Sequence, residues 1–412
     1  GTAYGSPVTK NSTDTTDIFT GDDLATYSFM VTSVDLAGNS AASSCSTSMD
    51  IEIYPTVSFS APTAQTIPEP SGGLWYDTNF SNRMKVTINN SDQSENLINF
   101  PLLVKLNSSR INYSETRDSG QDLRFTDADG VSLLSHDVEL WDESGESYVW
   151  VEIPQIDASS NTDHIWLYYN NPSASSAEAE GATWENNYQA VWHLDSVSNS
   201  VTGVDGVNDS VSFNQTNLGT AADLSGNDDN IETDIQPTSA SKGLSMWLNF
   251  SSLSSGQTTG TITDGARLWF GITSSDEFFW GYGDTVQSTS NNHSLSLNTW
   301  HKINMVYDSG TISVYQDGAL VESQSGVSFS GTAANFRIGE ACDNCSQEMN
   351  AKMDEVRIDS TVKSSDWVKA EYLSETDNFV SYGASESSSD TSDSTPVTIN
   401  VTLSKSYSST VT

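Results

Sequence analysis

The run Gln121-Asp-Leu-Arg-Phe-Thr-Asp-Ala-Asp-Gly130 alternates apolar Leu123 and Phe125 with polar Asp122, Arg124 and Thr126, then ends in Asp127-Ala-Asp-Gly. A period of two puts one set of side chains on each face of a strand, and an Asp-Gly pair suits a tight hairpin, so the run reads as a half-buried strand entering a turn. The device recurs in Met84-Lys-Val-Thr-Ile88, Pro101-Leu-Leu-Val-Lys-Leu106, Val138-Glu-Leu-Trp141, Tyr148-Val-Trp-Val-Glu-Ile153 and His164-Ile-Trp-Leu-Tyr-Tyr169. Each is closed by Asn, Asp, Ser, Gly or Pro, the residues that turn a chain. Short strands of this kind bury their apolar faces by stacking sheets, so the predicted fold class is all-β, as multidomain β-sandwiches.

A chain of 412 residues has room for about two to three domains. Its 16 Lys+Arg against 55 Asp+Glu give a formal charge of −39, which repels phosphate backbones and anionic membranes and attracts divalent cations. Nucleic acid is therefore excluded as a partner, while the same acidity also serves solubility in salty surroundings. No run approaches the roughly 18 apolar residues of a membrane helix, so no membrane insertion is expected. Gly1 opens without a secretory signal pattern, and the sequence reads as a mature chain or an excised piece. Asn-x-Ser/Thr sequons from Asn11 to Asn400, few Lys and scarce Cys fit an extracellular or cell-surface glycoprotein. Cys342-Asp-Asn-Cys345 lacks the βαβ setting of a redox motif and the second ligand pair of a zinc site, so a disulfide joining Cys342 and Cys345 is expected, with Cys45 left over.

The residues also carry resemblances. Trp75-Tyr-Asp, Arg83, Asn99-Phe-Pro101, the Asp122-to-Gly130 run, Glu139-Leu-Trp, Val149-Trp-Val, Leu167-Tyr-Tyr and Ala190-Val-Trp-His-Leu194 together resemble the secreted domain-of-unknown-function family numbered 2341. That likeness implies an extracellular β-domain at 74–184 and no known catalytic residue. From Tyr188 the chain is similar to a laminin-G-like, concanavalin A-like lectin module. The similarity rests on Asp223-Leu-Ser-Gly-Asn-Asp-Asp-Asn-Ile-Glu232, Leu244-Ser-Met-Trp-Leu-Asn-Phe250, Trp300-His-Lys-Ile-Asn-Met-Val-Tyr307, Ile312-Ser-Val-Tyr-Gln-Asp-Gly318, Phe336-Arg-Ile-Gly339 and Met353-Asp-Glu-Val-Arg-Ile358. It implies a jelly roll over 185–384. Residues 1–60 resemble the last hairpin of bacterial immunoglobulin-like repeats, and 61–73 form a Pro/Gly connector. Residues 385–412 read as a Ser/Asp-rich spacer followed by a terminal strand.

Among candidate sites, catalysis has least support. The Glu-x-Asp-x-x-Glu strand of concanavalin-like glycosidases, the Gly-x-Ser-x-Gly elbow, the His-Glu-x-x-His helix and the Gly-x-x-x-x-Gly-Lys loop do not occur, so no enzyme is expected. His193 is the lone catalytic candidate, and it fits a packed, hydrogen-bonded structural residue better. Calcium wants several oxygen ligands, and Asp223, Asn227, Asp228 and Asp229 make an oxygen-rich loop, with Asp354 in the closing strand as a further candidate. The same acids also serve as turn formers, as Asp127 and Asp129 do in the Asp-Gly hairpin. The lectin resemblance implies glycan binding. Sugar faces stack on rings while polar groups fix hydroxyls, which singles out Arg267, Trp269, Trp280 and Tyr282. Alternation puts Arg267 and Trp269 opposite Leu268, Phe270 and Ile272, whereas Trp280 and Tyr282 share a face with Phe278 and suit a core equally well.

The expected function is a non-catalytic surface adhesion or recognition protein whose lectin-like module binds glycans or cell-surface polymers with calcium. Two alternatives are a structural subunit of a surface layer, sheath or filament, and an accessory module of a secreted polysaccharide-degrading enzyme. In the filament reading, Val397, Ile399, Val401 and Leu403 form a strand that adds to the immunoglobulin-like fragment of another copy. Against it, both ends are cuts through neighbouring repeats of one longer chain.

Overall fold

A computed structural model describes residues 75–216, 219–225, 229–236, 242–251, 295–326, 335–339 and 349–388, and the backbone alone of 268–272, 278–282 and 285–288. The expected features of residues 1–60, the 61–73 connector and the strand from Val397 to Leu403 lie outside these residues.

The first half of the described chain supplies β1 (Asn82–Ile88), β2 (Leu97–Asn107), β3 (Arg124–Thr126), β4 (Leu133–Leu134), β5 (His136–Leu140), β6 (Glu146–Ile156), β7 (His164–Tyr169) and the short helix α1 (Glu180–Trp184). The second half begins with β8 (Tyr188–Trp192), β9 (Ser198–Asn199), β10 (Val204–Asp205), β11 (Val207–Asp209), β12 (Ser212–Thr216), β13 (Gly219–Ser225), β14 (Asn230–Glu232) and β15 (Gly243–Phe250). It continues with β16 (Leu268–Ile272), β17 (Phe278–Tyr282), β18 (Thr285–Ser288), β19 (Trp300–Asp308), β20 (Thr311–Gln316), β21 (Ala319–Ser325), β22 (Arg337–Ile338), β23 (Asn350–Asp359), α2 (Ser365–Glu375) and β24 (Val380–Ser387). The all-β class is as expected from the alternation, and the strands of the first half fall on the segments that show it.

In the first sandwich a sheet ordered β24-β1-β7-β3-β4 faces a sheet ordered β2-β6-β5. Met84, Val86, Ile165, Leu167 and Phe125 from one sheet meet Phe100, Leu102, Val104, Val149 and Val151 from the other in one buried core. The Asp127-to-Gly130 turn joins β3 to β4: the Asp127 N–H donates to Ser132 O, and Gly130 takes φ +73°, open to glycine at no steric cost. Strand β2 is buried on both faces. From Phe100 onward its even-numbered side chains fill this core, while Leu103 packs with Tyr148, Trp150, Trp184, Tyr188 and Val191 on the other side. This explains why Pro101-Leu-Leu-Val-Lys-Leu106 is nearly continuous in apolar residues, since a strand covered on both faces has no wet side to mark. Pro101 is tolerated because β2 is an edge strand.

The second sandwich is built on a long sheet, β12-β13-β23-β15-β19-β20-β21, with β8 pairing β23 beside β13. Its inner face, with Trp192, Met246, Leu248, Ile303, Met305 and Met353, packs on Ile231 of β14 and Ile338 of β22.

Two late elements complete the first sandwich, and the first of them also packs on the second. Helix α2 starts where the Ser364 hydroxyl accepts the Trp367 N–H, a side-chain N-cap. It sends Trp367 and Ala370 into the first core, and Val368 against Val306 and Tyr315 of the second. Strand β24 then pairs along β1, from Asn82↔Ser387 to Ile88↔Val380. Here the structure differs from the sequence reading, which ends the folded region at 384. Ser385–Ser387 continue the strand because the buried Arg83 guanidinium takes Glu386 at 2.9 Å, and Ser385 Oγ lies 2.6 Å from the Tyr169 hydroxyl. The two sandwiches thus lie within one compact unit, Gly72–Thr391.

Candidate functional site

The outer face of the long sheet carries charge where a covered face ordinarily carries methyl groups. Ser245 and Trp247 of β15, Lys302 and Asn304 of β19, and Asp354, Arg357 and Asp359 of β23 are all buried beneath α2 and the first sandwich. Buried charges persist only when paired, and Arg357 and Lys302 are. Arg357 Nη1 reaches Glu371 Oε1 at 2.7 Å and Glu375 Oε1 at 2.9 Å, and the guanidinium also holds Glu355. Lys302 Nζ lies 3.0 Å from Glu375 Oε2, and Asn304 donates to Glu371 at 2.7 Å. The Arg357 guanidinium sits 4.5 Å from the centre of the Trp150 ring and 5.0 Å from that of Trp184, so two adjacent π systems stabilise the cation as well.

At one end of this layer lies His193. Its Nε2 is 3.1 Å from Asp137 Oδ2, and its Nδ1 is 2.6 Å from Glu355 Oε1 and 3.8 Å from Glu139 Oε2. The strands explain the convergence. Between Ser245 and Trp247 the β15·β23 register slips, and Glu355 takes φ +50°, a conformation rare outside glycine. The bulge lets consecutive Asp354 and Glu355 both serve the charged layer, whereas strict alternation would send one into the apolar core. Glu139 and Asp137 come from β5, where the Trp150 and Trp184 indoles donate to them at 2.8 Å each.

Burial works against the His193 imidazolium, but Glu355 and Asp137 outweigh it and hold the ring well above its ordinary pKa. Glu355 would likewise be raised by burial, yet His193 and Arg357 pull it down to about 2. Glu139 and Asp354 go the other way, raised well above the carboxylate range by burial and then by the charge of Glu355. The carboxylates of Glu139 and Glu355 and Nδ1 of His193 lie within 4.8 Å of one another, the one such group of potential metal ligands among the described residues.

On the same outer face, beyond the cover of the first sandwich, a groove of about 290 Å³ opens. Cross-strand neighbours line it in a row: Asp223 opposite Lys352, Lys352 opposite Asn249, and Asn249 opposite Trp300, with Gln215 and Asn350 at the sides. The Trp300 ring is half-buried, and Lys352 Nζ is 4.0 Å from Asp223 Oδ2, both side chains 40% exposed.

The sequence candidates distribute as follows. Asp223 stands in the groove, whereas Asp229 is buried and its carboxylate accepts the Ser225 N–H at 2.7 Å, closing its own loop. Asp354 is fully buried beside Glu355 in the interior layer. Asn227, Asp228, Arg267, Cys342 and Cys345 lie outside the described residues, and Trp269, Trp280 and Tyr282 stand on β16 and β17, described as backbone only. Trp300 was visible in the sequence only as part of a strand signature. Its exposure, the signal that would have found it, depends on where the first sandwich stops covering the sheet.

A neighbouring histidine yields a pH prediction. His136 of β5 is 2% exposed, and burial, then the Arg124 charge, lower it to about 4. A depressed imidazole stabilises the fold above the unfolded pKa of about 6.5, and that contribution is lost as pH falls through about 4. His136→Gln should therefore narrow the gap between urea midpoints measured at pH 7 and pH 4.5; an unchanged gap would contradict the assignment.

Residues 119–202 match the family described as Domain of unknown function (DUF2341), and residues 225–369 match the Concanavalin A-like lectin/glucanases superfamily, in the expected order. The first match runs from the first sandwich into the second, so Glu139 and His193 share it while Glu355 lies in the other. Among solved structures, domain 4 of AbnA, a GH43 extracellular arabinanase from Geobacillus stearothermophilus, is 18% identical, with a TM-score of 0.38 over 44% of this chain and 96% of that one. The binding domain of Paraclostridial Mosquitocidal Protein 1 is 12% identical, TM-score 0.38, over 46% of this chain and 52% of that one. The receptor binding domain of botulinum neurotoxin D is 16% identical, TM-score 0.36, over 45% and 52%. The chain thus spans about half the length of the latter two, and likenesses of this size carry no statement about what it binds. Comparison with curated proteins returns no significant relative. Among the described residues no helix is long and apolar enough to cross a membrane.

Proposed function

We propose that this chain carries a non-catalytic carbohydrate-binding module, working in an extracellular or cell-surface recognition protein, and that the groove around Trp300 holds the sugar. The observation that carries the reading is the composition of that groove. A partly exposed indole offers an apolar face to a pyranose ring, and the amides of Asn249, Asn350 and Gln215, with the Asp223–Lys352 pair, offer donors and acceptors to its hydroxyls. The concanavalin A-like match over 225–369 agrees with it.

The test is a glycan array run on the whole chain with calcium and with chelator, followed by titration of the best binder. Trp300→Ala, on a half-buried side chain, should leave the circular dichroism spectrum unchanged and weaken binding about tenfold, the equivalent of ~1.4 kcal/mol of stacking. A folded chain that binds no glycan, or binds equally well without Trp300, overturns the assignment. Loss of binding in chelator would support the calcium expected at the loop from Asp223 to Asp229.

A further inference from the structure

The His193 cluster holds more carboxylate than its cations explain. Asp137, Glu139, Asp354 and Glu355 surround one imidazole, while the nearby Arg357 is shared with Glu371 and Glu375. One atom has no partner at all: Asp354 Oδ2 is fully buried and makes no hydrogen bond, although Oδ1 of the same group accepts the Glu355 N–H at 2.9 Å. An unpaired buried carboxylate oxygen is costly, and a cation beside it removes the cost.

We propose that Glu139, His193 and Glu355 bind a divalent first-row transition ion. Three features of the geometry fit. The ligand atoms already converge within 4.8 Å without rearrangement of the strands. The Asp137 carboxylate at Nε2 fixes the tautomer that presents Nδ1 to an ion, the carboxylate–histidine–metal arrangement in which an outer carboxylate orients the imidazole. The indoles of Trp150 and Trp184 then hold Glu139 and Asp137 in place. On binding, the proton between Nδ1 and Glu355 leaves to solvent, and the two side chains open from their 2.6 Å contact to admit the ion at about 2 Å from each. An imidazole among carboxylates selects a zinc-class ion over calcium, which prefers six to eight oxygens. The ligands come from β5, the end of β8 and the bulge of β23, so the ion ties the first sandwich to the second. Closed in by indoles, the site is structural.

The test uses the whole chain, stripped with chelator and titrated with zinc chloride. One equivalent should survive dialysis and raise the melting temperature, and a large excess of calcium should not displace it. Glu139→Gln should weaken zinc at least tenfold and Asp137→Asn about 10- to 100-fold. Asp205→Asn, exposed on β10, should leave affinity unchanged. Should the buried variants fail to fold, cobalt(II) in the unaltered chain decides: one paramagnetically shifted, slowly exchanging imidazole N–H is expected, from His193 Nε2–H held by Asp137. Absence of stoichiometric zinc, full zinc affinity in a folded Glu139→Gln chain, or bound cobalt without an imidazole ligand each overturns the proposal.

Discussion

A chain cut after Ser364 should lose the fold of its N-terminal sandwich, although every residue from 75 to 364 remains. The cut removes Trp367, Ala370 and Phe379 from that sandwich's core. It also strips β24 from one side of β1 and takes Glu386 from the buried Arg83. Deleting one buried aromatic side chain costs about 3–5 kcal/mol, and the cut removes two, against a total stability of roughly 5–15 kcal/mol. Limited proteolysis should therefore digest residues 75–184 in the truncated chain and spare them in the intact one. A synthetic peptide spanning 365–388 should restore protection in trans. Persistence of a protease-resistant N-terminal half with the intact chain's melting temperature would refute the shared architecture.

The second large effect is expected at Arg357. It is fully buried and holds Glu355, Glu371 and Glu375 together between the sandwiches. Arg357→Ala leaves those carboxylates to repel one another in a dry layer, and breaking one side of a buried ion cluster costs about 3–5 kcal/mol. Urea unfolding should show the loss as a lower midpoint with an unchanged slope. A cost under about 1 kcal/mol would mean that water or protonation screens the layer. The network is not thereby the main source of stability, because replacing a whole buried ion group with well-packed apolar residues is often neutral or better. Its expected role is to fix how the two faces meet.

The strands were legible in the sequence because their alternation is a property of neighbours, and so was the succession of two β-domains. The fate of the charged face was not. Asp354, Arg357 and Asp359 are spaced along one strand, and such a pattern reads as a solvated face unless one knows that another sandwich covers it. His193 stood out as a lone candidate, and the structure gives it the packed, hydrogen-bonded setting that the sequence favoured; Glu139 and Glu355 appeared only inside strand signatures far from it in sequence. The last strand was hidden for the opposite reason. Val380 to Ser387 ends in serines and a glutamate that look like the start of a spacer, and only the buried Arg83 shows why the sheet wants them.

The pairing of β1 with β24 has a consequence for the order of synthesis. Arg83 and Glu386 are 303 residues apart. Ribosomes deliver roughly 5–20 residues each second, so β1 waits at least about 15 seconds for its neighbour, with one edge of its sheet open meanwhile. Long-range strand pairing of this kind is slow to close even once both partners exist. The first sandwich is therefore born unfinished until α2 and β24 complete it, which places the burden of its quality control on a segment made 303 residues after Arg83.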